Sequence, residues 1–225
     1  MIAAAPDAII FDWDNTLVDS WATIRDALNI MLVEMGHAPW SMAETRLRVR
    51  KSLRDAFPAL FGERWQEAQR LYLDAFEAIH LERLKPLPGA ADLIQGLAGE
   101  GRYLALVSNK TGRYLRREVE ALGWAGHFRS IVGAGDAPFD KPHRACVDMA
   151  LEASGIAAGP SVWFVGDTGI DIECAANADC FGVLISADPP HAEEFTLHKP
   201  ALHFADCMAL TAAMRQIPSC NGGAA

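Results

Sequence analysis

Two aspartates one residue apart stand directly after an apolar run near the start of the chain. Residues 8–11 form the run AIIF, which is typical of a buried strand, and Asp12 and Asp14 follow it. Because successive side chains of an extended chain point to opposite faces, both carboxylates leave the strand end on the same side. Carboxylates that meet in this way need a raised pKa or a cation such as Mg²⁺ between them. The pair therefore predicts acid–base or metal chemistry, and a plain acidic turn is the alternative.

Polar side chains also follow three later strands that the sequence predicts. Ser108 and Asn109 end the second strand, Lys141 follows the third, and Asp167 and Asp171 follow the fourth. The carboxyl ends of parallel strands share one edge of a sheet, where open α/β proteins bind their ligands. We therefore expect these side chains to meet the first aspartate pair in one site.

The combined charge of this expected site favours a bound cation and a phosphate. Its four aspartates and one lysine carry a net charge of −3, which is too costly to bury without compensation. A bound Mg²⁺ would bring that charge to −1 and would accept a phosphate oxygen beside the carboxylates. One aspartate can attack phosphorus, and the second can protonate the leaving oxygen and later activate water. The set predicts phosphoryl transfer with Mg²⁺ as the cofactor.

The elements that must position these residues alternate in a way that predicts an α/β fold. From residue 88 onwards apolar strands and helical patterns alternate, which is typical of a parallel sheet with right-handed crossovers. The strands are predicted at 103–107, 130–133, 162–166 and 182–185. The helices are predicted at 90–97, 113–122, 142–153, after Gly169 and at 206–216. We expect a doubly wound, Rossmann-like parallel sheet.

A purely helical stretch separates the first strand from this alternation. Apolar residues recur at helical spacing over 24–35, and a third helical pattern covers about 63–84. Between them a capping box at Ser41 opens a helix that is expected to end before Pro58. We expect an inserted all-helical domain. The predicted boundaries are 1–17 and 87–217 for the catalytic core, 18–86 for the helical insertion and 218–225 for a flexible tail.

Composition and terminal sequence limit the classes of function. The 225 residues carry a net charge of −9, and an acidic chain lacks the basic surface that general nucleic-acid binding needs. The five cysteines form no C-x-x-C pair, so neither a zinc site nor a disulfide framework is expected. The sequence shows no basic N-terminal region and no apolar stretch of membrane-spanning length. We expect a cytoplasmic protein with no nucleic-acid or membrane partner.

The motifs, in this order and at these strand ends, resemble the haloacid dehalogenase superfamily. The phosphatase branch with phosphoglycolate phosphatase-like members looks most similar, and the helical insertion corresponds to the cap of that branch. The residues that carry the resemblance are Asp12-Trp13-Asp14-Asn15-Thr16, Ser108, Lys141 and Gly166-Asp167-x-x-x-Asp171. The resemblance implies a phosphoric monoester hydrolase that acts on a small phosphorylated metabolite, and we expect a monomer or homodimer.

The resemblance also implies a role for each matching residue. Asp12 is the expected nucleophile, and Asp14 is the expected general acid and base. Ser108 would donate to a phosphoryl oxygen, and Lys141 would offset negative charge. Asn15 departs from the family, which usually has glycine there; asparagine is the next most tolerant of positive φ, so we expect the turn to be retained. The residues assigned to phosphate binding are Thr16, Ser108, Asn109 and Lys141, and those assigned to the metal are Asp12, Asp14 through its backbone carbonyl, Asp167 and Asp171.

A cationic group lies within the helical insertion of this otherwise acidic chain. Its members exceed the neighbouring acids by a charge of +3, and the group comprises Arg46, Arg48, Arg50, Lys51 and Arg54 against Glu44 and Asp55. A solvated helix face is the ordinary explanation. The sharper hypothesis is that Arg50 or Lys51 binds the distal carboxylate or phosphate of the substrate when the cap closes.

Other classes of function stay open at this point. A phosphomutase or a phosphonatase shares the core and differs mainly in the cap. A phosphonatase needs a cap lysine for a Schiff base, and Lys51 is the only lysine of the insertion before Lys85. A non-catalytic binding module on this fold would usually have lost one of the motif residues, and all of them are present; fold and motifs alone do not prove turnover.

Overall fold

The computed structural model describes residues 5–49, 51–191 and 193–217, and within these ranges six strands form one parallel sheet. The strands are β1 (Ala8–Phe11), β2 (Tyr103–Thr111), β3 (Ser130–Ala134), β4 (Val162–Gly166), β5 (Phe181–Ile185) and β6 (Leu202–Phe204). Their order across the sheet is β3-β2-β1-β4-β5-β6, and each neighbouring pair is parallel. The predicted doubly wound parallel sheet is confirmed.

Helices cover both faces of this sheet, and a separate helical group lies between β1 and β2 in the chain. The four helices of that group are α1 (Trp21–Glu34), α2 (Met42–Arg48), α3 (Leu53–Phe61) and α4 (Trp65–Ile79). The helices of the sheet domain are α5 (Ala90–Gly99), α6 (Gly112–Ala121), α7 (Ala145–Leu151), α8 (Gly169–Asn177) and α9 (Cys207–Met214). Within the described ranges, no helix combines the length and apolar character that crossing a bilayer requires.

The central position of β1 follows from its sequence. All of its residues are buried, and they alternate between two apolar cores: Ile9 and Phe11 pack with α5, α6 and α9, whereas Ile10 packs with α7 and α8. A strand that is apolar on both faces is stable only between two helical layers. The chain leaves β1 towards β2 on one side and later returns to β4 on the other, so the switch point lies at the carboxyl end of β1. A ligand crevice is expected at that place.

The helical group between β1 and β2 has a core of its own. Leu28 and Met31 of α1 pack with Phe57 of α3 and Phe76 of α4, and Tyr114 of α6 completes the cluster. The predicted all-helical insertion, which corresponds to a cap, is confirmed as part of the fold class. Because Tyr114 belongs to the sheet domain, the cluster also joins the insertion to the core beside the carboxyl end of β2.

One predicted helix of the insertion is wrong. The helix expected from Ser41 to just before Pro58 is two helices, because the backbone is extended at Val49 and again at Ser52. The capping box itself is present, with Ser41 Oγ accepting from the backbone N–H of Glu44 at 3.2 Å. Pro58 lies inside α3 rather than after it. Pro58 removes one intrahelical hydrogen bond, and α3 ends soon after it, at residue 61.

Other boundaries also differ from the prediction. Pro142 is not in the first turn of a helix: it follows a cis peptide bond from Lys141, and α7 begins later, at Ala145. The second strand does not end at Ser108 but continues to Thr111, with an irregular register against β3. The short edge strand β6 was not predicted, because it has only three residues and none of them is buried. The predicted tail at 218–225 lies outside the described residues.

Candidate active site

The polar groups that follow the strands line one cavity at the carboxyl edge of the sheet. The cavity has a volume of about 120 Å³ and lies between this edge and the helical insertion. The predicted site residues that line it are Asp12, Asp14, Ser108, Asn109, Lys51, Lys141, Asp167 and Asp171. Thr16 lies behind them: it is fully buried, and its Oγ1 contacts Asp12 Oδ2 at 3.4 Å and Asp167 Oδ1 at 3.3 Å. The structure therefore brings the predicted core residues together.

Lys141 bridges two of the aspartates. Its Nζ donates to Asp12 Oδ1 at 2.6 Å and to Asp171 Oδ1 at 2.7 Å, and all three side chains are buried. Asn109 fixes the backbone of this lysine from both sides, because its Oδ1 accepts from the Lys141 N–H at 3.0 Å and its Nδ2 donates to the Lys141 carbonyl at 3.2 Å. The ammonium group is therefore held in place by its backbone as well as by its partners.

The carboxylates of Asp12, Asp167 and Asp171 form a compact oxygen cluster. One oxygen from each lies within 4.8 Å of the others. Burial raises the pKa of Asp12 to about 6, although Lys141 opposes the shift. Burial, together with repulsion from Asp171 and Asp12, raises the pKa of Asp167 well above its usual range. The cluster thus carries more negative charge than its lysine offsets, and three carboxylate oxygens are a fitting donor set for Mg²⁺.

Local sequence explains why Asp171 reaches this cluster. It stands in the first turn of α8, where its Oδ2 accepts from the backbone N–H of Thr168 at 3.1 Å and from Thr168 Oγ1 at 2.8 Å. The other oxygen faces Lys141. A Cβ at Gly166 would lie 2.3 Å from the Cβ of Asp171, so only glycine fits at the end of β4. Asp171 therefore caps a helix and belongs to the site at the same time.

Asn15 forms the turn after the aspartate pair with a positive φ of 63°, as expected for a residue that replaces glycine. Its side chain also accepts hydrogen bonds, which glycine cannot do. Asn15 Oδ1 accepts from the backbone N–H groups of Ser20 at 3.1 Å and Trp21 at 3.2 Å. These donors stand at the start of α1, where backbone N–H groups lack partners within the helix. The turn and the first cap helix are thus joined by one side chain.

Sequence reasoning missed a second lysine whose side chain is buried. Lys110 Nζ lies 2.7 Å from Asp14 Oδ1, an ion pair whose angles fall outside hydrogen-bond geometry, and donates to Glu118 Oε2 at 2.6 Å. Two signals could have found the pair. Lys110 directly follows Ser108 and Asn109, and Glu118 interrupts an apolar stripe of α6 beside the buried Val119. Burial opposes the charged lysine, but both carboxylates act on it and raise the pKa of Lys110.

The chain matches a known protein family over most of its length. The model of the family described as haloacid dehalogenase-like hydrolase matches residues 9–185. The chain belongs to this family. The phosphoglycolate phosphatase of Pseudomonas putida is 28% identical over 221 residues, covering 91% of this chain and 78% of that protein. The phosphoglycolate phosphatase of Psychrobacter arcticus is 28% identical over 214 residues, covering 90% of this chain and 93% of that protein.

A solved structure shares the fold of this haloacid dehalogenase-like chain. The crystal structure of a predicted phosphoglycolate phosphatase from Haemophilus somnus has a TM-score of 0.80 at 22% identity, and covers 92% of this chain and 97% of that chain. At that identity the likeness shows the fold alone. The predictions of the superfamily and of an enzyme of its phosphatase class are confirmed by the family match and the relatives.

The cap cations of this haloacid dehalogenase-like enzyme occupy different places. Arg46 lies over the ring of Trp21 and Arg48 over that of Trp40. Arg54 forms an ion pair with the buried carboxylate of Asp140 at 2.6 Å. Among the described members of the group, Lys51 lines the cavity. Arg50, the other residue predicted to bind the substrate, lies outside the described residues.

Proposed function

We propose that the chain hydrolyses a small organic phosphomonoester, of the phosphoglycolate type, through an aspartyl-phosphate formed on Asp12. The observation that carries this proposal is the position of two differently paired aspartates in one cavity. Asp12 is buried and held by Lys141, whereas Asp14 faces the same cavity and is paired with Lys110. Two carboxylates in different surroundings can take different roles in one reaction.

The reaction divides one displacement into two. Asp12 attacks the phosphorus atom, and the bond to the leaving oxygen breaks while that oxygen takes a proton from Asp14. In the second step Asp14 removes a proton from a water molecule, which attacks the aspartyl-phosphate and releases phosphate and the free Asp12 carboxylate. Both carboxylates return to their starting states, so the cycle needs no further reactant.

The surrounding residues bind and orient the phosphoryl group. Ser108 Oγ accepts from the backbone N–H of Lys110 at 3.2 Å, which leaves its hydroxyl proton for a phosphoryl oxygen. Lys141 offsets the charge on the nucleophile and on the phosphate. Asn109 holds Lys141 through its backbone, and Thr16 supports the oxygens of Asp12 and Asp167 from behind. We therefore assign Asn109 and Thr16 to the phosphate site indirectly, because they position Lys141, Asp12 and Asp167.

The acidic cluster supports Mg²⁺ as the cofactor. Asp12, Asp167 and Asp171 would hold the ion, together with the backbone carbonyl of Asp14. When bound, Mg²⁺ supplies positive charge that offsets the charge of the carboxylates and the phosphoryl oxygens. Burial first, and repulsion among the carboxylates second, raise the pKa values of Asp12 and Asp167, and a cation bound between them would stabilise their ionised forms.

The cap side of the cavity and the names of the relatives support the substrate class. Lys51 lines this space from the cap, and the relatives from Pseudomonas putida and Psychrobacter arcticus are named phosphoglycolate phosphatases. We propose residues 18–86 as the cap, which excludes bulk water when it closes over the core at 1–17 and 87–217.

Phosphate release from a panel of substrates tests the proposal. The panel contains phosphoglycolate, sugar phosphates, p-nitrophenyl phosphate and a phosphonate, each with Mg²⁺ or with EDTA. The wild type should release phosphate only with Mg²⁺, and Asp12→Asn should lose this activity. Asp92→Asn, which changes an exposed carboxylate on α5, should keep it. Activity that survives in Asp12→Asn, or a folded wild type that cleaves only the phosphonate or nothing at all, would overturn the proposal.

A further inference from the structure

Two lysines of this site have buried side chains, and each ammonium group lies between two carboxylates. Lys141 serves Asp12 and Asp171, as described above. Lys110 forms ion pairs with Asp14 on one side and with Glu118 on the other. The side chains of Lys110 and Glu118 are 5% and 2% exposed. The first pair includes the proposed nucleophile, and the second includes the proposed acid and base. Each proposed catalytic aspartate is therefore paired with its own lysine: Asp12 with Lys141, and Asp14 with Lys110.

Glu118 is fixed from three directions. Its Oε2 accepts from Trp13 Nε1 at 2.7 Å and from Lys110 Nζ at 2.6 Å, and its Oε1 lies 2.8 Å from His80 Nδ1. Trp13 stands between the two aspartates of the first motif, and His80 directly follows α4 of the cap. A carboxylate with this many partners has little freedom to move. Glu118 is consequently a firm anchor for the ammonium group of Lys110.

A second contact restrains Lys110 from the cap side. Its Nζ lies 4.9 Å from the centre of the Phe76 ring, within the range of a cation–π interaction. The ammonium group thus has a ring on one side and two carboxylates on the others. These contacts restrict the orientation of the Asp14 carboxylate. The terminal torsion of an aspartate has a broad distribution, so contacts with other residues are needed to fix it.

We propose that Lys110 is a positioning residue that holds the ionised carboxylate of Asp14 for the hydrolysis of the aspartyl-phosphate, and that Glu118 keeps Lys110 in place. The inference rests on the proposed function. The ionised form is the one that remains when Asp14 has given its proton to the leaving oxygen, and it is also the form that removes a proton from water. With Oδ1 of Asp14 anchored by Lys110, the other oxygen is left for the water.

The two chemical steps can be separated with p-nitrophenyl phosphate. Nitrophenolate leaves without a proton from Asp14, so kcat/KM for this substrate reports formation of the aspartyl-phosphate with little need for the acid. The value of kcat includes the second step, which needs Asp14 as base. A positioning defect should therefore lower kcat more than kcat/KM, whereas general damage to the site should lower both.

The test compares Lys110→Met with wild type. Since a general base contributes about 100-fold to 10,000-fold, we expect kcat to fall at least about tenfold. KM, which is kcat divided by kcat/KM, should fall with it. A burst of nitrophenol approaching one equivalent per enzyme should appear as the phosphoenzyme accumulates. Lys110→Arg should restore part of kcat. Lys199→Met, at an exposed lysine, should match wild type.

Removing Lys110 alone leaves the buried Glu118 without its cation, which endangers folding. The double variant Lys110→Met with Glu118→Gln removes both charges and should show the same burst. Equal losses in kcat and kcat/KM without a burst, or no loss in either parameter, would refute the positioning role while metal-dependent turnover by the wild type still upheld the proposed function. A wild type without turnover would overturn both.

Discussion

Lys141 Nζ lies 2.6 Å from Asp12 Oδ1, and yet the pKa of Asp12 is raised rather than lowered. Burial outweighs the attraction of the lysine, and the neighbouring Asp171 and Asp14 add repulsion. The ion pair is therefore only one part of a site that has too few cations for its carboxylates. This relationship explains how a buried lysine and the proposed metal site can occur together in one cavity.

The raised pKa of Asp12 predicts how the stability of the metal-free protein depends on pH. Between its usual value of 3.8 and about 6, the folded state binds more protons at Asp12 than the unfolded state does. The contribution of Asp12 to the free energy of unfolding is therefore fully present below the lower value and is lost as pH rises through the upper one. The loss is on the order of 3 kcal/mol.

Denaturant unfolding in EDTA at several pH values measures this effect. Other carboxyl groups titrate in the same range, so the quantity to follow is the stability of wild type relative to Asp12→Asn. It should decline between pH 4 and about 6. A difference that stays constant, or that grows with pH, would show that Asp12 has an ordinary or lowered pKa.

Asp167 offers a test of the metal site that does not depend on activity. Burial and two neighbouring carboxylates raise the pKa of Asp167, so its charge is unfavourable at neutral pH. Asp167→Asn should increase the stability of the metal-free protein and reduce the rise in Tm that Mg²⁺ produces in the wild type. Asp92→Asn is the matched control. A variant that is less stable in EDTA and gains as much from Mg²⁺ as the wild type would contradict the assignment.

Gly166 should be irreplaceable at the end of β4. An added Cβ would meet the Cβ of Asp171 at 2.3 Å, so Gly166→Ala must displace the aspartate or the strand end. We expect loss of Mg²⁺-induced stabilisation and of activity. Gly182→Ala in β5 is the control, because its added Cβ would lie 3.4 Å from the nearest atoms, an ordinary contact. Thermal unfolding with and without Mg²⁺ distinguishes the two, and equal behaviour of the variants would refute the steric argument.

The sequence was enough to predict the sheet and the residues that follow its strands. The apolar run before Asp12 and the alternation after residue 88 are strong patterns, since each buried strand must be apolar on both faces. Parallel strands then bring their carboxyl ends to one edge, so a site drawn from distant motifs could be predicted without a contact map. The end of α3 could not be predicted, because Pro58, a residue type that usually ends a helix, lies inside it.

The pairing of Lys110 with Asp14 also escaped prediction, for a physical reason. A lysine after a strand is usually solvated, and a single glutamate on a helix indicates nothing about burial. Only the fold shows that α6 turns Glu118 towards His80 and Trp13, which makes a buried cation at Lys110 stable. Which side chains from distant segments pair with each other depends on the tertiary structure. The order of the motifs at the strand ends can be read from the sequence alone.

Asn15 should contribute through both its backbone and its side chain. Its φ of 63° favours glycine or asparagine, and its Oδ1 accepts from two N–H groups at the start of α1. Asn15→Ala should lose about 2 kcal/mol of stability, since it loses a cap and places alanine at positive φ. Asn15→Gly should lose less than about 1 kcal/mol, because glycine keeps the turn. Denaturant unfolding measures both, and a reversed order would show that the positive φ is not a constraint.

Lys51 tests how the cap selects substrates. It lines the cavity from the segment between α2 and α3, where a distal carboxylate of the substrate would meet it. Because the contact lies away from the reacting phosphorus, Lys51→Ala should raise KM for phosphoglycolate about tenfold and change kcat little. The KM for p-nitrophenyl phosphate, which has no distal anion, should stay close to that of the wild type, and Arg48→Ala should leave both substrates unaffected. An unchanged KM for phosphoglycolate, or an equal rise for both substrates, would mean that Lys51 does not bind the distal anion.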